Sequence, residues 1–393
     1  MKVAIIYSHP IHYAHVLFQA MKARGLEFEV LYVAAGSSIR HEKTPQLSLG
    51  SYRYTLAHDG LYHTASRRVR GRFPWRELSG ARPEVVIISG YRNLECWVAW
   101  TWALLHRRKV IIWCESNEFD YPRHWIRELP KRLFLSGCDR GHVYGATNKA
   151  YLIRLGMRAE RIESKRAVVD AAMFSTSAEN KVYSTGDTKK LIYVGRLAPE
   201  KNLGMLLRAV ARAVAARGGS PCLRLTIAGT GPLEQDLRSE ASQLRIERIV
   251  DFVGYCPQHD LPGLLRAADF FVLPSSREPW GLAALEAMLC RLPVIVSTQC
   301  GCAEDLITDE TGWKFSPWTE DELSELLRRL PDMPASMVAR MGTIAHQVAS
   351  GYSPEFCARS IEQCVEQATA GRRIARPSSP MPVPERIRSS EER

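Results

Sequence analysis

Apolar residues along the chain gather in short blocks, separated by stretches in which they recur every third or fourth position. Val3–Tyr7, Phe28–Val33, Val85–Ser89 and Val110–Trp113 are near-continuous apolar runs, and His142–Tyr144 is a weaker one. Runs of this kind predict strands covered on both faces, as in a parallel sheet. Val16–Arg24 and Leu94–His106 carry helical spacing between them. The pattern then starts again more cleanly. Leu191–Val194, Leu223–Ala228, Ile249–Val253, Phe270–Leu273 and Val294–Ser297 read as strands, with helices at about 202–217, 232–245, 259–268, 281–290 and 319–330. Alternation of this sort predicts an α/β protein with a doubly wound parallel sheet in each half.

A polar stretch, 176–189, separates the two halves and reads as a linker. The expected organisation is therefore an N-terminal Rossmann-like domain over 1–175 and a C-terminal one over 190–352. A helix within 353–371 is expected to pack back toward the first domain. Residues 372–393 are rich in Pro, Ser and Arg and are expected to be disordered. The length of 393 residues agrees with two cores rather than one.

Charge changes the picture in one respect. The formal net charge is +11, and residues 1–175 hold 27 Lys+Arg against 15 Asp+Glu, while the remainder holds 26 against 27. Two basic clusters stand out: Arg67, Arg68, Arg70, Arg72 and Arg76 with Phe73 and Trp75, and Arg123, Arg127, Lys131 and Arg132 with Trp125 and Phe134. Basic residues interleaved with aromatics suit an anionic membrane surface. No helix-turn-helix, zinc-finger or RNA-recognition pattern is present, so nucleic acid is not an expected partner. No uncharged apolar stretch approaches the roughly 18 residues of a membrane span, and Val3–Tyr7 reads as a first strand rather than a signal peptide. The ten cysteines lack framework spacing, and Cys300 and Cys302 have no second pair to complete a zinc site. A reducing, cytoplasmic setting is expected, with attachment at the inner membrane face.

Candidate chemistry concentrates in the C-terminal half. In Arg277-Glu278-Pro279-Trp280-Gly281-Leu282-Ala283-Ala284-Leu285-Glu286, seven residues separate two carboxylates where a strand-loop becomes a helix. Helical side chains lean toward the N-terminus, so Glu286 can point toward the space that Glu278 faces. The amides of Gly281, Leu282 and Ala283 form an open helix start suited to phosphate. Tyr193-Val194-Gly195-Arg196-Leu197-Ala198-Pro199-Glu200-Lys201-Asn202 adds a planar cation and a point charge five residues apart, enough to neutralise a diphosphate. Ala228-Gly229-Thr230-Gly231-Pro232 and Phe252-Val253-Gly254-Tyr255 are further glycine turns at strand ends, and their backbone can line a slot for a nucleotide base.

Taken in order, Val-Gly-Arg-Leu-x-Pro-Glu-Lys-Asn, Ala-Gly-x-Gly-Pro, Phe-Val-Gly-Tyr, Leu-Pro-Ser-Ser and Glu-Pro-Trp-Gly-Leu…Glu-Ala-Met resemble the family 4 retaining glycosyltransferases over residues 189–330. The resemblance implies a GT-B fold, in which two Rossmann-like domains face a cleft and the C-terminal one holds a nucleoside-diphosphate sugar. It implies that Arg196 and Lys201 bind the donor diphosphate, Glu278 meets the sugar hydroxyls and Glu286 accepts from the ribose. The amides of Trp280, Gly281, Leu282 and Ala283 would help to hold phosphate. It also implies retention of configuration without a metal, and the sequence contains no Asp-x-Asp. No other cofactor is expected.

The N-terminal half departs from the family. Where many members carry a Gly-Gly loop after the first strand, this chain has Ser8-His9-Pro10-Ile11-His12-Tyr13. His9 or His12 could assist proton transfer. His9, His12 and His15 lack an adjacent carboxylate to complete a metal set. Where members often place a histidine after a later strand, this chain has Cys114-Glu115-Ser116-Asn117-Glu118, so Glu115 is the candidate for an acceptor or sugar contact. Tyr91-Arg92-Asn93 is another cleft candidate. The expected activity is transfer of a sugar to a lipid-linked or polysaccharide acceptor. A sugar-nucleotide epimerase, a glycan phosphorylase and a non-catalytic nucleotide-sugar-binding module are the alternatives on this fold.

Overall fold

The computed structural model describes residues 2–37, 51–120, 124–164, 167–176 and 181–370. The tail 372–393, Arg123 and residues 177–180 of the expected linker lie outside the described residues. The first sheet contains β1 (Val3–Tyr7), β2 (Phe28–Tyr32), β3 (Arg53–Leu56), β4 (Val85–Ser89), β5 (Lys109–Cys114), β6 (Arg140–Val143) and β7 (Ile162–Glu163). All are parallel, in the order β3-β2-β1-β4-β5-β6-β7. The second contains β8 (Lys189–Val194), β9 (Leu223–Ala228), β10 (Val250–Gly254), β11 (Phe270–Leu273), β12 (Val294–Ser297) and β13 (Gly312–Phe315), parallel in the order β10-β9-β8-β11-β12-β13. Strand order therefore reverses between β1 and β4 and between β8 and β11. Crevices at the carboxyl ends of strands open at such points.

Apolar runs became strands for the expected reason: the central strands β1, β4 and β11 are buried along nearly their whole length. Three strands were not anticipated, β3, β7 and β13. They lie at sheet edges, where β3 is mostly exposed and gives no apolar run. Helices Arg67–Ala81, Trp125–Ser136, Ala146–Arg154 and Ala335–Ser350 were also unanticipated. The first has Ser66 as N-cap, accepting from the Val69 amide at 3.3 Å, but buries only Phe73, Pro74 and Leu78 among its many arginines.

Around the expected boundary the chain alternates, with Val168 in the N-terminal core and Ala167, Val169 and Phe174 in the C-terminal one. Phe174 is fully buried there, and its carbonyl lies 3.6 Å from the Cys290 thiol. The described part of the linker is likewise fastened to the C-terminal domain: Tyr183 donates to the Arg291 carbonyl at 2.6 Å, and Asp269 accepts from the Ser184 amide at 2.8 Å. Helix Pro354–Thr369 lies against helix His12–Ala23 and supplies Cys357, Ala358, Ile361, Cys364, Val365 and Ala368 to the N-terminal core. Arg24 and Glu362 pair across that contact.

The two basic clusters are also split by folding. Arg70 turns inward to the buried Glu95 at 2.9 Å, and Phe73 is core. Lys131 pairs with Glu128 at 2.7 Å, and Phe134 is fully buried.

Candidate functional site

Close approach of two glycine turns shapes the C-terminal cavity. Gly195 (φ +155°) and Gly229 (φ +141°) end neighbouring strands in conformations that side chains rarely adopt. A Cβ on Gly229 would overlap the Gly195 carbonyl, and one on Gly231 would overlap that of Leu197. The turns are laced by Leu197 N–H to Thr230 O at 2.9 Å and Gly229 N–H to Gly254 O at 2.7 Å. Gly229→Ala is therefore expected to cost at least about 3 kcal/mol, by forcing a strained φ and parting two backbones, read as a lower denaturant midpoint.

Above these turns opens a cavity of about 500 Å³ lined by Arg196, Lys201, Glu278, Trp280, Gly281, Leu282 and Ala283, among others. Lys201 ends a short turn, Pro199–Lys201, that Asn202 closes in the left-handed region at φ 55°. Its ammonium pairs with Glu278, whose carboxylate also accepts from Ser275 Oγ at 3.3 Å. Arg196 is half-exposed and pairs with Glu200 at 2.6 Å. Helix Leu282–Leu289 starts at Gly281 (φ 106°), which has no side chain to cap it, so the first amides open toward the cavity wall. Below the loop, burial pushes the Cys300 thiol up to about 12, helped by the nearby Glu278 charge, and Cys302 well above its usual range. Both are packing thiols. Among the described residues no cluster of His, Cys, Asp and Glu has metal-holding geometry.

The N-terminal domain faces this cavity with one of its own, about 570 Å³, built from the loops after β1, β4 and β5. Tyr7, His9, Tyr91, Arg92, Asn93, Glu115 and Asp120 are among its walls. Tyr13, Glu115, Arg196 and Pro279 line both spaces, so the two form one cleft. Glu115 accepts from the Tyr144 hydroxyl at 3.1 Å.

Three N-terminal residues hold the domains in this arrangement. Asn117, fully buried, donates its amide to the carbonyls of Glu278 at 3.1 Å and Pro279 at 2.9 Å. Its own oxygen accepts from Phe119 N–H at 2.9 Å. Asn148, also buried, donates to the Glu115 carbonyl at 2.8 Å and to the Pro279 carbonyl of the other domain at 3.5 Å. Helix Ala146–Arg154 begins at Gly145, and the carboxylate of Asp305 from the other domain accepts from the Ala146 amide at 3.1 Å.

Of the residues singled out from sequence, Arg196, Lys201, Glu278, Trp280, Gly281, Leu282 and Gly229 line the C-terminal cavity, Glu115 both cavities and His9 the N-terminal one. Glu286, Gly254 and His12 do not line either. Glu286 is half-buried one helical turn beyond Leu282, on the same helix face. Gly254 is engaged in the backbone lacing, and its successors Tyr255 and Cys256 reach the cavity instead. His12 opens helix His12–Ala23 beside His15. Sequence reasoning missed Asn117, Asn148, Gly145, Asp305 and Arg277. Arg277 borders the N-terminal cavity and donates to the Asp120 carbonyl at 3.3 Å. Its place next to Glu278 was the available signal; the others are joined only by folding.

Two parallel-sheet domains whose strand-end loops meet across a shared cleft define the GT-B fold. Solved structures agree: sucrose-phosphate synthase from Thermosynechococcus elongatus superposes with a TM-score of 0.74 at 20% identity over 93% of this chain and 98% of that one. HepE from Anabaena, in complex with UDP and glucose, gives 0.71 at 16% identity over 93% and 99%. Residues 175–348 match the family model of glycosyl transferases group 1. Glycogen synthase from Mycobacterium tuberculosis is 33% identical over 213 residues, 54% of this chain and 50% of the relative. The amylovoran biosynthesis glycosyltransferase AmsK from Erwinia amylovora is 28% identical over 273 residues, 67% of this chain and 61% of the relative. The chain thus spans about half to three-fifths of the curated relatives it matches.

Proposed function

We propose that this protein is a retaining glycosyltransferase that moves a sugar from a nucleoside diphosphate to a lipid-linked or polysaccharide acceptor, without a metal. The observation that carries this reading is the joining of a cavity that brings Arg196 and Lys201 to an open helix start with a second cavity, across Arg196 and Glu115. The diphosphate would lie against Lys201, Arg196 and the amides of Gly281 and Leu282, with the sugar hydroxyls on Glu278. The bond from the anomeric carbon to the diphosphate oxygen breaks, and the acceptor hydroxyl bonds to that carbon from the same face. Charge grows on the departing diphosphate, where preorganised cations and amides lower the barrier most. Both cations already hold carboxylates. Lys201 has three donors and can keep Glu278 while taking a phosphate oxygen, whereas Arg196 must be shared with or leave Glu200. The acceptor would enter beside His9, Tyr91 and Glu115, and its proton would pass to a group there or to the departing phosphate. Relatives with UDP or UDP-sugar in their reported structures make uridine diphosphate the first donor to test.

Glu286→Ala is expected to weaken nucleoside-diphosphate binding about tenfold, through loss of a charge-assisted bond to the ribose. Arg196→Ala is expected to lower turnover with a smaller effect on affinity. Calorimetry with uridine, guanosine and adenosine diphosphates reads the first and release of free diphosphate reads the second. Unchanged affinity in Glu286→Ala refutes its assignment. Donor conversion without acceptor and without diphosphate release would point to an epimerase. Turnover that a chelator abolishes would overturn metal independence.

A further inference from the structure

Helix Trp125–Ser136 has an apolar side that no element among the described residues covers. Trp125, Ile126, Leu129 and Leu133 are 73%, 56%, 61% and 58% exposed. At about 100° per residue these four fall within one arc of roughly 100°, while Phe134 and Leu135 on the opposite side are buried. A row of large apolar side chains left in water is unfavourable unless something covers it. Charge around the row selects what that is. Arg132 is exposed and stands about 20° from Trp125 at the edge of the row, whereas Arg127, also exposed, projects about 100° beyond Ile126. Glu128, the only acid in the helix, turns inward, pairing with Lys131 at 2.7 Å and accepting from the Tyr151 hydroxyl at 2.9 Å. The outer side is therefore apolar and cationic without a counter-charge of its own. It belongs to the half of the chain that holds the whole basic excess.

We infer that this helix seats the protein on an anionic bilayer, with Trp125, Ile126, Leu129 and Leu133 entering the headgroup boundary and Arg132 meeting a lipid phosphate. Such a combination of apolar burial and anionic attraction is what interfacial helices use. No helix among the described residues is long and apolar enough to cross a membrane. The position matters. Lys131 Nζ lies 5.7 Å from the centre of the Tyr91 ring, and Tyr91 and Asp120 are walls of the N-terminal cavity. The bilayer is thereby brought beside the space that the proposed function gives to the acceptor, and on that reading the acceptor is a lipid-linked glycan rather than a free polysaccharide.

The test is vesicle co-sedimentation of the full chain with neutral phosphatidylcholine vesicles and with vesicles carrying 3 parts in 10 phosphatidylglycerol (about 30%). The parent is expected to bind the anionic vesicles at least tenfold more tightly than the neutral ones. The triple variant Trp125→Ser/Ile126→Ser/Leu129→Ser is expected to lose at least tenfold, and Arg132→Ala about fivefold. All these side chains are exposed, so the variants are expected to fold, which circular dichroism and an unchanged uridine-diphosphate affinity would verify. Parent-like vesicle binding by the triple variant overturns the proposal. So does equal binding of the parent to neutral and anionic vesicles, or parent dimers that the triple variant dissolves without any vesicle binding. Vesicle binding with no nucleotide affinity in the parent would instead sink the glycosyltransferase reading and leave the membrane face standing.

Discussion

Lys201→Met is expected to lower turnover by roughly 10²–10³-fold, the loss seen when one preorganised donor to a developing anion is removed. Methionine keeps most of the side chain's length and its packing, so the change isolates the charge. The ammonium sits against Glu278 at the wall of the cavity, with both side chains largely but not wholly buried. Without it, Glu278 keeps Ser275 and can recruit water from the open side, and the stability loss is expected to be about 1–3 kcal/mol rather than that of a sealed ion pair. A double variant, Lys201→Met/Glu278→Gln, separates the two effects. It removes the orphaned charge and is expected to regain the melting temperature while staying as slow as the single variant or slower. Turnover within threefold of the parent in Lys201→Met would remove this lysine from the chemistry.

The second large effect is expected from Asn117→Asp. The substitution preserves shape and the bond accepted from Phe119, but replaces an N–H₂ that serves two carbonyls with a carboxylate oxygen. The site is fully buried and touches the main chain of Glu278 itself. Leaving two acceptors unserved and facing them with a third is expected to cost about 2–4 kcal/mol, borne by the contact between domains. The cleft should loosen, seen as a larger radius of gyration in solution scattering, with turnover falling more than nucleotide affinity. The pH dependence has a definite sign. Burial raises the folded-state value of the new carboxyl above its unfolded value of about 3.9, because the neutral form can donate to one carbonyl. The folded state then binds more protons, and stability falls as pH rises through that window. Equal melting of parent and variant at pH 4 and pH 7 would show that Asn117 does not join the domains.

How much of this was visible in the sequence depends on where the physical signal resides. The central strands announce themselves because burial on both faces demands unbroken apolar runs such as Val85-Val86-Ile87-Ile88. The cavity walls of the C-terminal domain were legible because local backbone needs fix residue types: glycine where Gly195 and Gly229 adopt positive φ, a capless start at Gly281. Edge strand β3 carried no such demand, and helix Arg67–Ala81 hides its few core residues among arginines. Asn117, Asn148 and Asp305 were illegible for another reason. Asn117 meets Glu278 and Asp305 meets Ala146 only because two domains close on each other, and nothing local distinguishes those residues from ordinary loop polar groups. The same holds for the domain boundary, where Phe174 follows the C-terminal core against the composition around it.

Helix Pro354–Thr369 belongs to the core formed chiefly by the chain's first hundred-odd residues, although about 240 residues intervene between Trp113 and Pro354. During synthesis, then, the half that is translated first is completed last. The later half has all its packing partners once Tyr352 has left the ribosome, whereas strands β1 and β5 and helix His12–Ala23 wait with an uncovered flank until Ala368 emerges. The nascent N-terminal half thus keeps that apolar flank in water until the last described helix is made.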